Sequence, residues 1–173
     1  RQWDVANAHA DIYGGQGRGA QRAAWEASLG AEHAYMSGLV FIQILMDLFK
    51  AFDTVPHQQL IEAARERGFP LWLLRLSLAI YRMPRVIMIE RRCSRLIVAS
   101  RGITAGSTFA TSELMALLMG LVDLLNAKWG GIVRVKLYVD DLSMAVAGAR
   151  NETIARAAAA TDMAVRFFED KLS

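Results

Sequence analysis

The chain has 173 residues, 54% of them apolar, and a formal net charge of +3. That length suits one domain with a sizeable core and falls short of two, and that composition excludes an intrinsically disordered tail. A single cysteine, Cys93, excludes a disulfide framework within the chain and suits an intracellular protein.

In chain order, residues 1–38 are rich in glycine, alanine and polar groups, and the glycines make residues 13–19 a loop. Residues 20–29 suit a short helix, and residues 39–46 are an apolar run, broken only by Gln43, that reads as a buried strand. Asp53 and Thr54 supply capping side chains and Pro56 suits a first helical turn. The helix so begun is expected to end near Arg67, before Gly68 and Pro70. Residues 71–81 predict a second helix with a leucine-rich face, on which Trp72 is expected to pack.

Residues 85–89 and 96–100 read as two strands joined around Arg91-Arg92-Cys93-Ser94. Residues 111–127 predict an apolar helix with Met115 and Met119 as core fillers. Its longest unbroken run, 114–122, is closed by Glu113 and Asp123 and falls short of the ~18 residues that span a bilayer, so no membrane partner is expected. Residues 132–139 and 142–147 read as strands separated by Asp140-Asp141, a turn-compatible pair. Asn151 is an expected N-cap for a last helix that buries Val165, Phe167 and Phe168. The chain opens at Arg1 and closes at Ser173 inside a predicted helix, which reads as an excerpt of a longer protein. The expected fold class is α+β, a small antiparallel sheet backed by helices.

Charge is unevenly spread. Arg82, Arg85, Arg91, Arg92, Arg95 and Arg101 fall in one stretch opposed only by Glu90. Such a stripe suits a polyanion through counterion release, and equally suits a solvated hairpin surface. His57 reads as a cap or surface residue, and Cys93 lacks companions at metal spacing.

Three acids occupy unusual places: Asp47 ends an apolar strand, and Asp140 and Asp141 sit between two more. Like charges beside a core are costly unless something positive neutralises them. Carboxylate oxygens suit Mg²⁺, and a two-metal site activates an attacking hydroxyl and stabilises a leaving oxygen. Taken singly, each acid is as well read as a cap or a polar turn.

Three ordered blocks carry more weight. Asp47-Leu-Phe-Lys-Ala-Phe-Asp-Thr-Val55, Arg101-Gly-Ile-Thr-Ala-Gly-Ser107 and Tyr138-Val-Asp-Asp141 resemble, in order, the palm motifs of reverse transcriptases, above all those of non-LTR (LINE-type) retroelements. Gly17-Arg18 weakly echoes that family's finger region. The resemblance implies a polymerase palm over residues 39–173 with a partial fingers segment over 1–38, and RNA-directed DNA synthesis on an RNA template and a DNA primer. It implies Asp47 and Asp140 as ligands of two Mg²⁺ ions (Mn²⁺ as substitute), aided by the Leu48 carbonyl, with Asp141 as a supporting acid. Phe52 becomes the aromatic under the incoming sugar, where a flat ring leaves no room for a 2′-hydroxyl. Lys50, Ala51, Ala105 and Gly106 become nucleotide contacts, Tyr138 lies near the primer terminus, and the arginine stripe lies along the template–primer path. Nuclear action follows by the same resemblance.

Two positions depart from that pattern: Ala105 stands where a glutamine is usual, and Thr108 where a proline is common. The family's lysine-bearing fourth motif, primer grip and thumb are also missing from the sequence. These departures sustain an alternative, a catalytically decayed relic or a palm module that binds nucleic acid without turnover. An RNA-dependent RNA polymerase is disfavoured by Val139, where those enzymes place glycine, and by Phe52.

Overall fold

A computed structural model describes residues 2–14, 18–104 and 106–172. The elements run α1 (Gln2–Ala6), α2 (Ala20–Met36), β1 (Val40–Asp47), α3 (Ala51–Thr54), α4 (His57–Glu66), α5 (Leu71–Tyr81), β2 (Met88–Ile89), β3 (Arg92–Cys93), α6 (Ala110–Trp129), β4 (Val133–Tyr138), β5 (Asp141–Gly148) and α7 (Arg150–Leu172). The architecture is α+β, as the sequence leads one to expect.

The main sheet is antiparallel with strand order β1-β5-β4. Period-2 alternation sorts its residues between two faces. Met46, Leu142 and Leu137 share one register row and face the core, as do Ile44, Met144 and Val135. Two helices back that face. In α6, ten residues are buried around nearly the whole circumference, the pattern of a central helix. In α7 the buried positions Thr153, Ala157, Ala160, Ala164 and Phe168 make one stripe, whose small residues let the helix approach β1 and β5 closely.

α6 is 20 residues long, and its length and hydropathy would suffice to cross a bilayer. The expectation that no segment is long enough therefore needs correcting; the helix is instead the core of the domain, packed on α4, β4 and α7. Glu113 sits inside it with no exposed surface and accepts a hydrogen bond from the Tyr81 hydroxyl at 2.7 Å.

The opposite face of the sheet is covered at one end only, by α2. Lys136 reaches up from β4 to donate to the Ala23 carbonyl at 2.8 Å and pairs with Glu26 at 3.4 Å. Glu26 also accepts from the Tyr13 hydroxyl and from Arg22, and these donors hold its carboxyl down at about 2, while burial and the bond to Glu26 push the Tyr13 phenol up to about 12. α2 continues past residue 29 because Gly30 is a packing position, not a stop. A Cβ there would stand 3.0 Å from Arg134 Nη1 and 3.6 Å from Phe41 Cε2.

Other expectations are corrected at this level. Asp53 and Thr54 lie within α3, and α4 is capped by Pro56 without a side-chain bond. α7 starts at Arg150, which places Asn151 in its first turn, and Val165 is 38% exposed on its outer side. Trp72 is 73% exposed on α5. The arginine-rich hairpin turns at Glu90-Arg91, so that Arg92-Cys93 is strand and not connection. Both turn residues take positive φ, the geometry that matches strand twist in a two-residue hairpin. Beyond Cys93 the Ser94 hydroxyl accepts the Ile87 amide at 3.0 Å, and Arg85 then pairs with Ile97 one residue out of register, a bulge.

Candidate active site

β1 delivers Asp47 to the uncovered end of the sheet, and β5 begins there with Asp141 directly opposite in the register. Residues so paired have Cβ atoms roughly 4.5–5.5 Å apart on one face. Tyr138 completes the row from β4. Asp140 stands in the two-residue connection beside them, after Val139, whose φ of 58° is unusual for a β-branched residue.

That strained turn is braced from outside. Residues 11–14 run along β4 as an extra edge: Tyr13 N–H donates to the Leu137 carbonyl at 2.7 Å, and Leu137 N–H to Asp11 at 2.8 Å. Gly14 then lies against the turn so closely that a Cβ would meet Val139 Cγ2 at 3.2 Å and its amide nitrogen at 3.3 Å. Strain of this kind persists only where neighbours over-determine it.

The three carboxylates feel one another. Burial pushes the Asp141 carboxyl above the ordinary aspartate range, and the charges of Asp140 and Asp47 push it further. Among the described residues no ion pair involves any of the three. Nor, among those residues, do three His, Cys, Asp or Glu side chains form a ready-made metal cage. A hard-oxygen pair facing solvent fits a cation that keeps waters and takes the rest of its ligands from substrate phosphates, and it does not fit a closed structural site.

After Asp47 the chain turns sharply. The Leu48 carbonyl accepts the Ala51 amide at 3.1 Å, and Lys50 takes φ of 52° to open α3. Ala51, expected among nucleotide contacts, is 2% exposed and belongs to the hydrophobic core. Phe52 is half-buried at the core's edge, whereas Phe49 is 81% exposed and carries the Lys50 ammonium over its ring at 5.4 Å.

The second block is stitched to this turn by backbone bonds. Gly102 N–H donates to Val55 at 2.8 Å, Ile103 N–H to Phe52 at 2.7 Å, and His57 N–H to Ser100 at 3.2 Å. Gly102 takes φ of 95° and lies where a Cβ would stand 3.2 Å from the Asp53 carbonyl, so only glycine fits. Gly106, at φ of 87°, is exposed beside a groove of about 430 Å³ that includes Ser77, Tyr81, Ser107 and Phe109. Ala105 and Gly17 lie outside the described residues.

The arginines distribute differently from the acids. Arg82, Arg85, Arg91, Arg92, Arg95 and Arg101 are all exposed, and among the described residues none pairs with a carboxylate. Arg101 forms an isolated bridge with Pro56, which ties the stripe's end to the stitched turn.

Sequence reading missed three participants. His57 is 1% exposed, not a surface residue, and its place on the buried stripe His57, Leu60, Ala64 of α4 was readable from helical spacing. Gly14 and Gly102 matter through close approach, which sequence does not signal.

Over 92% of its length the chain superposes on the structure of an apo telomerase from Candida tropicalis truncated from its C-terminal domain, with a TM-score of 0.66 and 10% identity. The superposed part is 34% of that telomerase chain, so this chain spans about a third of it. At such identity the likeness is one of fold: the chain shares a telomerase-like α+β architecture. No family model and no curated protein matches the sequence.

Proposed function

We propose that this chain is the palm, with part of the fingers, of an RNA-directed DNA polymerase of the non-LTR retroelement type. It acts on an RNA template, a DNA primer and deoxynucleoside triphosphates. The observation that carries the reading is the cross-strand pairing of Asp47 with Asp141, with Asp140 in the adjoining turn, on the open end of a telomerase-like sheet.

Asp47 and Asp140 would hold two Mg²⁺ ions, with the Leu48 carbonyl and the Asp141 carboxylate in support. When bound, these ions lower the pKa of the attacking 3′-hydroxyl and neutralise charge on the transferred phosphate. The rest is positioning by the chain itself. Phe52 presents its half-buried ring to the sugar, and Lys50 and Gly106, both exposed, contact the nucleotide. Tyr138, in the same register row as Asp141, faces the primer end. The exposed arginines give the sequence-independent phosphate affinity that a moving template–primer requires.

Asp47→Ala or Asp140→Ala should lower primer extension on an RNA template by on the order of 10³-fold or more while template–primer binding survives. Extension at the unmutated rate in either variant would remove the metal assignment. The decayed-relic reading draws on Ala105. It predicts no incorporation by a folded wild-type protein that still binds template–primer, and incorporation restored by Ala105→Gln would return the site to the catalytic reading.

A further inference from the structure

We infer that His57 is a positioning residue: its two ring nitrogens lock the segment bearing Gly102 and Ile103 against the Phe52 turn, and so set the gap in which a deoxynucleotide lies. This rests on the polymerase reading above.

The ring is buried at the junction of three segments. Its Nδ1 accepts from Arg82 Nε at 3.1 Å, at the end of α5. A nitrogen that accepts carries no proton, so Nε2 carries it and donates to the Gly102 carbonyl at 2.9 Å. The backbone amide of the same residue donates to Ser100 at 3.2 Å. Gly102 in turn donates to Val55, and Ile103 donates to the Phe52 carbonyl. One imidazole thus closes a circuit from α5 through the second sequence block to the backbone of Phe52, whose ring is proposed to carry the sugar.

The circuit requires a neutral imidazole. The groups facing it are the Arg82 guanidinium and the Tyr81 ring of α5, 6.3 Å away, whose hydroxyl is committed to Glu113 of α6. Burial and the Arg82 charge hold the imidazole below its ordinary range, against the opposing pull of the Gly102 carbonyl. A proton on Nδ1 would face Arg82 donor to donor and break that bond. Both halves of the lock are therefore closed at neutral pH, and the Arg82 half opens as pH falls through the lowered value while the bond to Gly102 persists.

The test compares wild-type protein with His57→Ala and with His57→Gln, whose amide can accept from Arg82 and donate to Gly102. In primer extension His57→Ala should raise the deoxynucleotide KM about tenfold, the worth of one lost buried hydrogen bond, with kcat within about twofold. His57→Gln should restore most of the loss and remove the acid limb of the pH profile. Independently of turnover, amide exchange at Gly102 and Ile103 should quicken about tenfold in His57→Ala while β5 amides keep their protection. Imidazole NMR should show the Nε2–H tautomer and a pKa below the ordinary histidine value.

Unchanged exchange at Gly102 and Ile103 in a folded His57→Ala protein overturns the proposal, as does a fall in kcat with KM unchanged. If wild-type protein incorporates no deoxynucleotide, the polymerase reading fails, and the exchange and titration results still decide the lock. If His57→Ala does not fold, Arg82→Gln carries the amide-exchange comparison, which needs no template–primer.

Discussion

Both hairpins of this chain turn through two residues, lack glycine in the turn, and still take positive φ: Val139 at 58° between β4 and β5, and Glu90 at 47° with Arg91 at 66° between β2 and β3. Their surroundings differ. The β4–β5 turn has Gly14 packed against it, an added edge along β4, and β1 paired on the far side of β5. The β2–β3 hairpin has every residue exposed and, among the described residues, pairs with no further strand. Backbone strain is stored where neighbours hold it, and a lone two-stranded hairpin is marginal in water. The braced hairpin can therefore hold carboxylates to the tolerance that the proposed phosphoryl transfer demands, whereas the bare one offers charge on an adaptable support.

Removing the support is the strongest way to break that contrast. Met144 of β5 is fully buried, and Met144→Ala should cost about 2–5 kcal/mol by urea unfolding. Met88→Ala, at 70% exposure in β2, should fall within about 0.5 kcal/mol. Equal losses at the two sites would mean that the hairpins share a core. Gly14→Ala tests the brace itself. A Cβ at 3.2–3.3 Å from Val139 must displace the turn, at about 1–3 kcal/mol. Primer extension should fall further than this loss of stability alone accounts for, since Asp140 moves with Val139. Wild-type extension by Gly14→Ala would show that the brace is dispensable.

The same contrast explains what sequence made legible. α5 was readable to its ends, and β1 within a residue or two, because nearly continuous apolar runs set them. The Asp47, Asp140 and Asp141 grouping was also readable, since charges interrupting apolar strands are locally conspicuous. What escaped depends on contacts distant in sequence. The helix read over residues 20–29 runs on to Met36, and the reason for a small residue at Gly30, its approach to Arg134, lies on a distant strand. The β2–β3 turn was misplaced because Glu90-Arg91 lacks the Asn-Gly signal of its geometry. His57 looked superficial because its partners, Arg82 and Gly102, are 25 and 45 residues away.

The smallest expected effect is the most specific to the braced hairpin. The Asp141 carboxyl is held above its ordinary range, so the folded chain binds that proton more tightly than the unfolded chain does. Its contribution to stability is thus full below the ordinary aspartate range and is lost as pH rises through the raised value. In metal-free protein at neutral pH, Asp141→Asn should therefore stabilise the fold, by roughly the 0.2–1 kcal/mol that a cross-strand charge pair is worth. In acid the same substitution should gain nothing. Mg²⁺ should raise the melting temperature of the wild type at neutral pH, because it relieves the same repulsion, and should raise that of Asp141→Asn less. A gain from Asp141→Asn that is equal at both pH values would mean that the facing acids do not repel. The β4–β5 hairpin would then be a braced turn that happens to carry charge, no different in electrostatic demand from the bare one.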